Sequence, residues 1–373
     1  MKKTWIGISL IIIVALIVVL VIIQTGREPK DIEIGAILPL TGSSAQYGQW
    51  SKNGAELAVD EINRQGGIKG RKVKIIYEDS RTDAKEGVSA LNNLSAIYKV
   101  QAIISESSGV VLAIAPVVEE KKIVQLNIGA VNPQIRKAGD YTFSNINDAD
   151  IEAYEMAEYA YNKLGIRKLA ILYATTSYGK GNRDAIKEKF KSIGGIIVAD
   201  ESFDENSGDF RTQIIKIRET APDAIYVVAV TKDAALILRQ ARELGIKTQL
   251  LSATFFEGKD LLDIAGNAAE GTIYTSTVLN ATSHRIQDFI ANYRNKYGLD
   301  PEIYSATAYD AIHIYALAIG KVGYYGEEIK KYMYTIENYP GISGLTSFDV
   351  DGAVEKPILF KKVINGKFEY INN

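Results

Sequence analysis

The chain has 373 residues, 47% hydrophobic and 24% charged, enough to bury a substantial core in about two lobes. Its 43 basic and 45 acidic residues give a formal net charge of −2 with no basic block, which argues against nucleic acid as a partner. There are no cysteines, which excludes disulfides, thiol nucleophiles and a lipid-modified N-terminal cysteine.

The chain opens with Lys2 and Lys3 and then an almost unbroken apolar run from Trp5 to Ile23. A helix of that length can span the ~30 Å hydrocarbon core, and the lysines ahead of it favour a cytoplasmic N-terminus. The alternative is a cleaved secretory signal, whose apolar region usually runs only ~7–15 residues before a small-x-small site. Both readings export the rest of the chain. The expectation is an uncleaved anchor over 1–23 and a short polar tether over 24–30, with the body at the extracytoplasmic face of the cell membrane.

Beyond the tether, strand-like apolar runs alternate with helix-like periodic segments. Ile32 to Leu38 reads as a strand; the next segment spaces Trp50, Leu57, Ala58 and Ile62 helically before stopping at Gly66 and Gly67. Then come a strand at Val73 to Tyr77, a helix from about Asp83 to Tyr98, and a strand at Ala102 to Ile104. A helix from about Val110 to Lys121 and a strand at Ile123 to Leu126 complete a βαβαβαβ run. The alternation resumes with helices near Ile151 to Lys163, Gly181 to Ser192, Phe210 to Glu219 and Ala234 to Leu244. Strands at Leu169 to Tyr173, Ile196 to Ala199, Ala224 to Ala229 and Gln249 to Ser252 lie between and after them. The fold class is therefore α/β, with two doubly wound parallel sheets.

In open sheets of this kind ligands collect beyond the C-terminal strand ends, where the strand order reverses. For an order of 2-1-3-4-5 the adjoining loops are Thr41 to Gly48 and Ser105 to Gly109. Ser107 and Ser108 stand where the next helix begins, so hydroxyls lie beside unpaired N–H groups and the positive helix end, a setting that binds a carboxylate. The competing reading is that one serine simply caps the helix.

Several segments together resemble extracytoplasmic solute-binding proteins of ABC importers, of the branched-chain (Leu/Ile/Val) amino acid-binding type. They are Ile34-Gly35-Ala36-Ile37-Leu38-Pro39-Leu40-Thr41-Gly42, Ala45-Gln46-Tyr47-Gly48, the helix from Gly54 to Asn63, Gly66 to Gly70, Ser107-Ser108, Tyr178-Gly179 and Leu238 to Arg242. The resemblance implies a type I periplasmic-binding-protein clamshell, two α/β lobes joined by three crossovers with the solute between them. The crossings are expected near Ser144 to Ile146, Thr272 to Thr275 and Val354 to Lys356. One lobe would combine 31–145 with 274–355, the other 146–273 with 356–373. It also implies a small-molecule solute, an ABC permease as partner, no cofactor and no bond broken.

Carried over residue by residue, the resemblance makes Tyr47 and Tyr178 aromatic contacts from opposite lobes and Ser108 the holder of a ligand carboxylate. Gly129, Ala130 and Val131 form the loop that helps hold the α-ammonium and carboxylate, with Val131 where the family has a threonine. The second-lobe acid that pairs with the ammonium falls at Thr254, beside Phe255 and Phe256, unless Glu257 or Glu106 substitutes for it. A buried ammonium without a countercharge is costly, so the ligand is either an amino acid or a related small carboxylate.

Enzymatic readings find little support. His284 and His313 are far apart in sequence; Gly341-Ile342-Ser343-Gly344 lacks the final glycine of a nucleophile elbow, and Gly179-Lys180-Gly181 lacks the third glycine of a dinucleotide fingerprint. The rival from another class is a ligand-sensing receptor ectodomain, which would be expected to carry a cytoplasmic output domain.

Overall fold

The computed structural model describes residues 30–277 and 283–371. The expected anchor at 1–23 and nearly all of the tether at 24–30 lie outside them. Among the described residues no helix is long and apolar enough to cross a membrane.

The first sheet holds five parallel strands in the order β2-β1-β3-β4-β5. They are β1 (Ile32–Leu38), β2 (Val73–Asp79), β3 (Ala102–Ser105), β4 (Val124–Asn127) and β5 (Thr142–Ser144). β1, β3 and β4 are buried on both faces, as parallel strands under helices must be; β1 and β3 are mostly apolar, whereas β4 alternates Val124 and Leu126 with buried Gln125 and Asn127. Helices α1 (Ala45–Arg64), α2 (Ala84–Asn93) and α3 (Ser108–Lys121) connect the first four strands. Asp83 starts α2 by accepting from the N–H groups of Lys85 and Glu86 at 2.8 and 3.0 Å, a side-chain cap.

The second lobe carries α4 (Ala149–Glu158), β6 (Lys168–Ala174), α5 (Ser177–Ser192), β7 (Ile196–Phe203), α6 (Arg211–Glu219), β8 (Ala224–Val228), α7 (Thr231–Glu243), β9 (Gln249–Ser252), α8 (Lys259–Ala265) and β10 (Ile273–Thr277). The chain then returns to the first lobe as α9 (His284–Tyr297), α10 (Ile303–Val322) and α11 (Gly326–Met333), followed by the hairpin β11 (Tyr339–Gly341) and β12 (Gly344–Thr346). α10 is buried almost all round and packs along α1. Contact there is so close that a Cβ on Gly54 would lie 1.9 Å from the Ser305 carbonyl oxygen, so this glycine sets the approach of the two helices.

The second sheet has the order β14-β13-β10-β9-β8-β6-β7, with β13 (Ile358–Ile364) and β14 (Lys367–Ile371) supplied by the chain's last crossing. It is parallel through β10, while β13 and β14 run antiparallel. Two parallel sheets were expected. The exception is a C-terminal hairpin turned by Asn365 and Gly366, both at positive φ, a turn that favours this pair of residues.

Two details of the chain path differ from expectation. β5 is only three residues long, too short to show a period, and no strand was expected there; it ends at Ser144, where the expected first crossing begins. β10 pairs with β9 and β13, so residues 274–277 belong to the second sheet and the return to the first lobe comes after Thr277.

Candidate functional site

Loops at the strand ends of both sheets meet along one cleft. A cavity of 230 Å³ there is lined by Ser44, Ser107, Ser108 and Gly109 from the first lobe and by Ser177, Tyr178, Val230 and Phe255 from the second. Tyr47, at the start of α1, is 1% exposed and reaches across. Its hydroxyl donates to the Phe255 carbonyl at 2.8 Å and accepts the Thr231 N–H at 3.3 Å, with the Thr231 hydroxyl as a third partner. Thr231 is the first residue of α7, whose N-cap Val230 has no side-chain acceptor. A tyrosine of one lobe thus satisfies an N–H that the other lobe's own helix start leaves unpaired. A second bridge runs from the Asn132 side-chain amide to the Ser177 carbonyl, 2.6 Å.

The rings of both lobes interlock beneath these bonds. Phe255 sits 5.0 Å from Tyr47 and 4.8 Å from Tyr178, both edge-to-face. Tyr304, from α10, lies 5.0 Å from Tyr47 and stacks on Trp50. Edge-to-face contacts of this kind add about 0.5–1.5 kcal/mol each to the burial of the rings. Phe256 points the other way, into the core of the second lobe with Tyr274 and Phe368.

Ser107 and Ser108 have different roles. Ser107 precedes α3 with φ 74° and makes no side-chain cap, so serine capping is not what this loop does. That backbone conformation is sparsely populated for a non-glycine residue and marks a constrained loop. The Ser108 hydroxyl accepts the N–H groups of Val131 and Asn132, both at 3.3 Å. With its acceptor sites engaged, its own proton remains to be donated. The loop after β4 is further clamped by Asn127, which accepts from the N–H groups of Gly129 and Ala130 and donates to the Ala130 carbonyl. Val131 is fully buried against the aromatic cluster. A Cβ on Gly129 would meet Glu106 Cγ at 2.5 Å, so a glycine here is what admits that carboxylate.

Thr254 follows β9 and is 6% exposed. Its hydroxyl bonds to Glu152 of α4, whose other oxygen receives Thr275 Oγ1 at 3.3 Å. Glu257 does not take Thr254's place: Lys361 holds it at 2.7 and 2.8 Å and Tyr274 donates to it at 2.8 Å. Glu106 receives Ser51 Oγ at 2.8 Å. Burial pushes Glu106 and Glu152 each up to about 7, against which the hydroxyl donors only partly act.

Residues 31–367 match the periplasmic binding protein family. The chain belongs to that family. Among family relatives, a Leu/Ile/Val-binding protein homolog 1 from Brucella suis is 29% identical over 352 residues, covering 93% of this chain and 95% of the relative. The solved leucine-binding protein LivK from Thermotoga maritima is 27% identical with a TM-score of 0.87, covering 91% of this chain and 98% of LivK. The branched-chain amino acid substrate-binding protein LivJ from Streptococcus pneumoniae, in complex with isoleucine, is 29% identical with a TM-score of 0.84, covering 91% of this chain and 99% of LivJ. The family and these relatives are binding proteins, not enzymes, and the clamshell of this chain is a solute-binding fold.

Of the residues singled out in the sequence, Ser107, Ser108, Tyr178 and Phe255 line the cavity, Tyr47 and Val131 pack in the aromatic cluster beside it, Gly129 and Ala130 precede Val131 in the loop that bonds to Ser108, and Thr254 lines a neighbouring pocket with Trp50 and Tyr304. The sequence did not single out Asn127, Thr231, Tyr304 or Glu152. Tyr304 and Glu152 sit on helices whose apolar neighbours gave no cue, and Asn127 reads as the end of a strand. A signal was available for Thr231, a hydroxyl at a strand-to-helix junction.

Proposed function

We propose that this chain is the extracytoplasmic solute receptor of an ABC importer. It captures a small hydrophobic amino acid or a related small carboxylate by closing its two lobes, and delivers it to a membrane permease. The reading extends what the relatives bind to this chain. The single observation that carries it is the Tyr47 hydroxyl bonded to Thr231 and Phe255 across the cleft, an interaction available only when the lobes are shut. Solute that favours the shut form shifts the population toward it, and a permease can read that form.

Within the cleft, the carboxylate of the solute sits at Ser107, Ser108 and the start of α3. The Ser108 proton, oriented by the two N–H groups that its oxygen accepts, is the donor. Tyr47, Tyr178 and Phe255 cover the apolar part, with Gly129, Ala130, Val131 and Thr254 behind them. Residues 1–23 hold the body to the outer face of the cytoplasmic membrane.

A thermal-shift screen of the proteinogenic amino acids and small carboxylic acids, followed by small-angle scattering at saturation, tests the reading. A hit should raise the melting temperature and reduce the radius of gyration. Ligand binding with no compaction at saturation refutes closure. Fractionation should find the full-length chain in membranes; a mature N-terminus near Gln24 in the soluble fraction refutes the anchor.

A further inference from the structure

The described chain begins at the edge of the first sheet that lies opposite the cleft. β1 and β2 start in register, Ile32 beside Val73, and β3 and β4 start together, Ala102 beside Val124. The strands are parallel, so their C-terminal ends open on the cleft and their N-terminal ends make this opposite face. Arg71 fastens the entering chain to it: Nε donates to the Lys30 carbonyl at 2.6 Å and Nη2 to the Asp31 carbonyl at 3.3 Å. The Tyr324 hydroxyl, just past α10, donates to the Glu33 carbonyl and accepts the Gln101 N–H at 3.1 Å. The point at which the tether meets the body is therefore fixed.

Around that point the surface is basic and bears exposed apolar side chains. A cavity of 210 Å³ brings Lys30, Arg71 and Lys99 together with Tyr98 and Tyr325. Its acids are Asp31, which is paired with Lys74, and Glu33. Lys69 and Lys72 flank Arg71 on a turn closed by the Ile68–Arg71 bridge. Among the described residues Lys30, Lys69, Lys72 and Lys99 form no ion pair, whereas further along the edge Lys122 and Lys331 are matched by Glu327 and Glu328. Tyr325 is 69% exposed and Ile97, next to Tyr98, 66%. A cation at a helix end has a structural use, and Lys99 follows the helical turn Leu94–Tyr98. That use does not extend to Lys30, Lys69 and Lys72, nor does it call for an exposed tyrosine and isoleucine among them.

We propose that this face docks on an anionic lipid surface, with the lysines against phosphate headgroups and Tyr325 and Ile97 at the boundary between headgroups and acyl chains. The inference rests on the anchor reading above, with residues 1–23 in the membrane. The tether over 24–30 reaches at most ~25 Å when extended, so the basic face is held within that distance of the bilayer. A link this short keeps weak contacts at high effective concentration, and a few basic groups then suffice. Docking turns the cleft end of the first sheet away from the lipid, toward the side from which solute arrives.

The chain has no cysteine, so a single one introduced by Ala96→Cys, beside Ile97, takes a fluorophore without competing sites. The full-length protein is reconstituted in vesicles of phosphatidylcholine alone or with ~30% phosphatidylglycerol, and quenching by a lipid with a nitroxide headgroup is measured. In anionic vesicles the label at Ala96→Cys should be quenched, and one at Ser207→Cys, exposed beyond the C-terminal end of β7, should not. Lys69→Gln, Lys72→Gln and Lys99→Gln together should lower the ratio of docked to undocked protein by ~100-fold, each basic group near such a surface contributing a factor of about five. Salt at ~0.5 M should act in the same direction. Unchanged melting temperatures establish that the variants fold. Flotation with both kinds of vesicle but no quenching at Ala96→Cys in the anionic ones, or quenching indifferent to the lysine substitutions, overturns docking and leaves the anchor standing. Flotation with neither overturns both, and flotation with anionic vesicles alone supports the lipid contact while overturning the anchor. Solute capture is untouched by any of these results.

Discussion

The two chain crossings between the sheets at Asn145–Asn147 and Lys356, which together form the hinge region, and the cleft are both buried polar centres, yet they are built in opposite ways. At the hinge, Lys356 Nζ donates to Asn145 Oδ1 at 2.8 Å and to Ser343 Oγ at 2.7 Å. Its backbone N–H and carbonyl are both bonded to the Asn147 side chain. Ser343 passes its own proton to Asp310, which also accepts the N–H groups of Ile342 and Ser343 at 2.7 Å. The network holds one charge of each sign with their donors and acceptors paired. In the cleft, two like charges face hydroxyls, and two tyrosine hydroxyls have no good partner. A satisfied network rigidifies and an unsatisfied one waits for something, so the same ingredients read as structure in one place and recognition in the other.

Substitutions at the two centres should therefore move stability in opposite directions. The largest effect is expected at the hinge. Lys356→Met takes one of two donors from Asn145 Oδ1, which keeps Thr346 Oγ1 at 3.0 Å, takes the lysine donor from Ser343 and removes the countercharge of Asp310, so chemical denaturation should show a loss of about 3 kcal/mol. A loss under about 1 kcal/mol would mean that the hinge is no better satisfied than the cleft.

Next in size, and opposite in sign, is the removal of charge from the cleft. Each of Glu106 and Glu152 has its carboxyl raised from 4.5 to about 7 in the folded protein. Between those values the folded state binds more protons than the unfolded one, so the stability of the ligand-free protein falls as pH rises through this window. Glu152→Gln should remove part of that fall and stabilise the ligand-free protein at pH 8 by on the order of 2 kcal/mol. Urea titrations at pH 4.5 and pH 8 measure it, and a variant less stable than the wild type at pH 8 would contradict the contrast.

Smaller effects belong to the groups that touch both lobes or the solute. Ser108→Ala should weaken a carboxylate solute by ~1–3 kcal/mol and its uncharged amide hardly at all, read by titration calorimetry. Equal binding of acid and amide by the wild type would remove the anion site from Ser108. Tyr47→Phe keeps the ring contacts and deletes only the hydroxyl, so affinity should fall by about 1 kcal/mol with little change in the unfolding midpoint of the ligand-free protein. A large drop in that midpoint would make Tyr47 a structural link rather than part of closure.

Much of this molecule could be read along the chain. The strands from Ile32 to Ser252 and the helices between them announce themselves because burial on two faces demands continuous apolar runs and burial on one face demands a helical period. Tyr47, Ser108 and Tyr178 were legible through the motifs that surround them. The short β5 and the Asn365–Gly366 hairpin were not singled out, although the second carries a recognisable turn pair. Phe255 and Phe256 show the limit most clearly. Adjacent and chemically identical, one faces the cleft and the other the core, and no pattern in two residues can say which.

Local pattern settled the α/β alternation, the position of the first-lobe site loops and the family, since each depends on neighbours a few residues apart. Contacts between residues distant in the chain settled the rest. Thr231 meets Tyr47 across 184 residues and Thr254 meets Glu152 across 102. Whether a carboxylate is paired depends on what every other segment brings within ~4 Å of it, and that is fixed only when the two lobes fold and close.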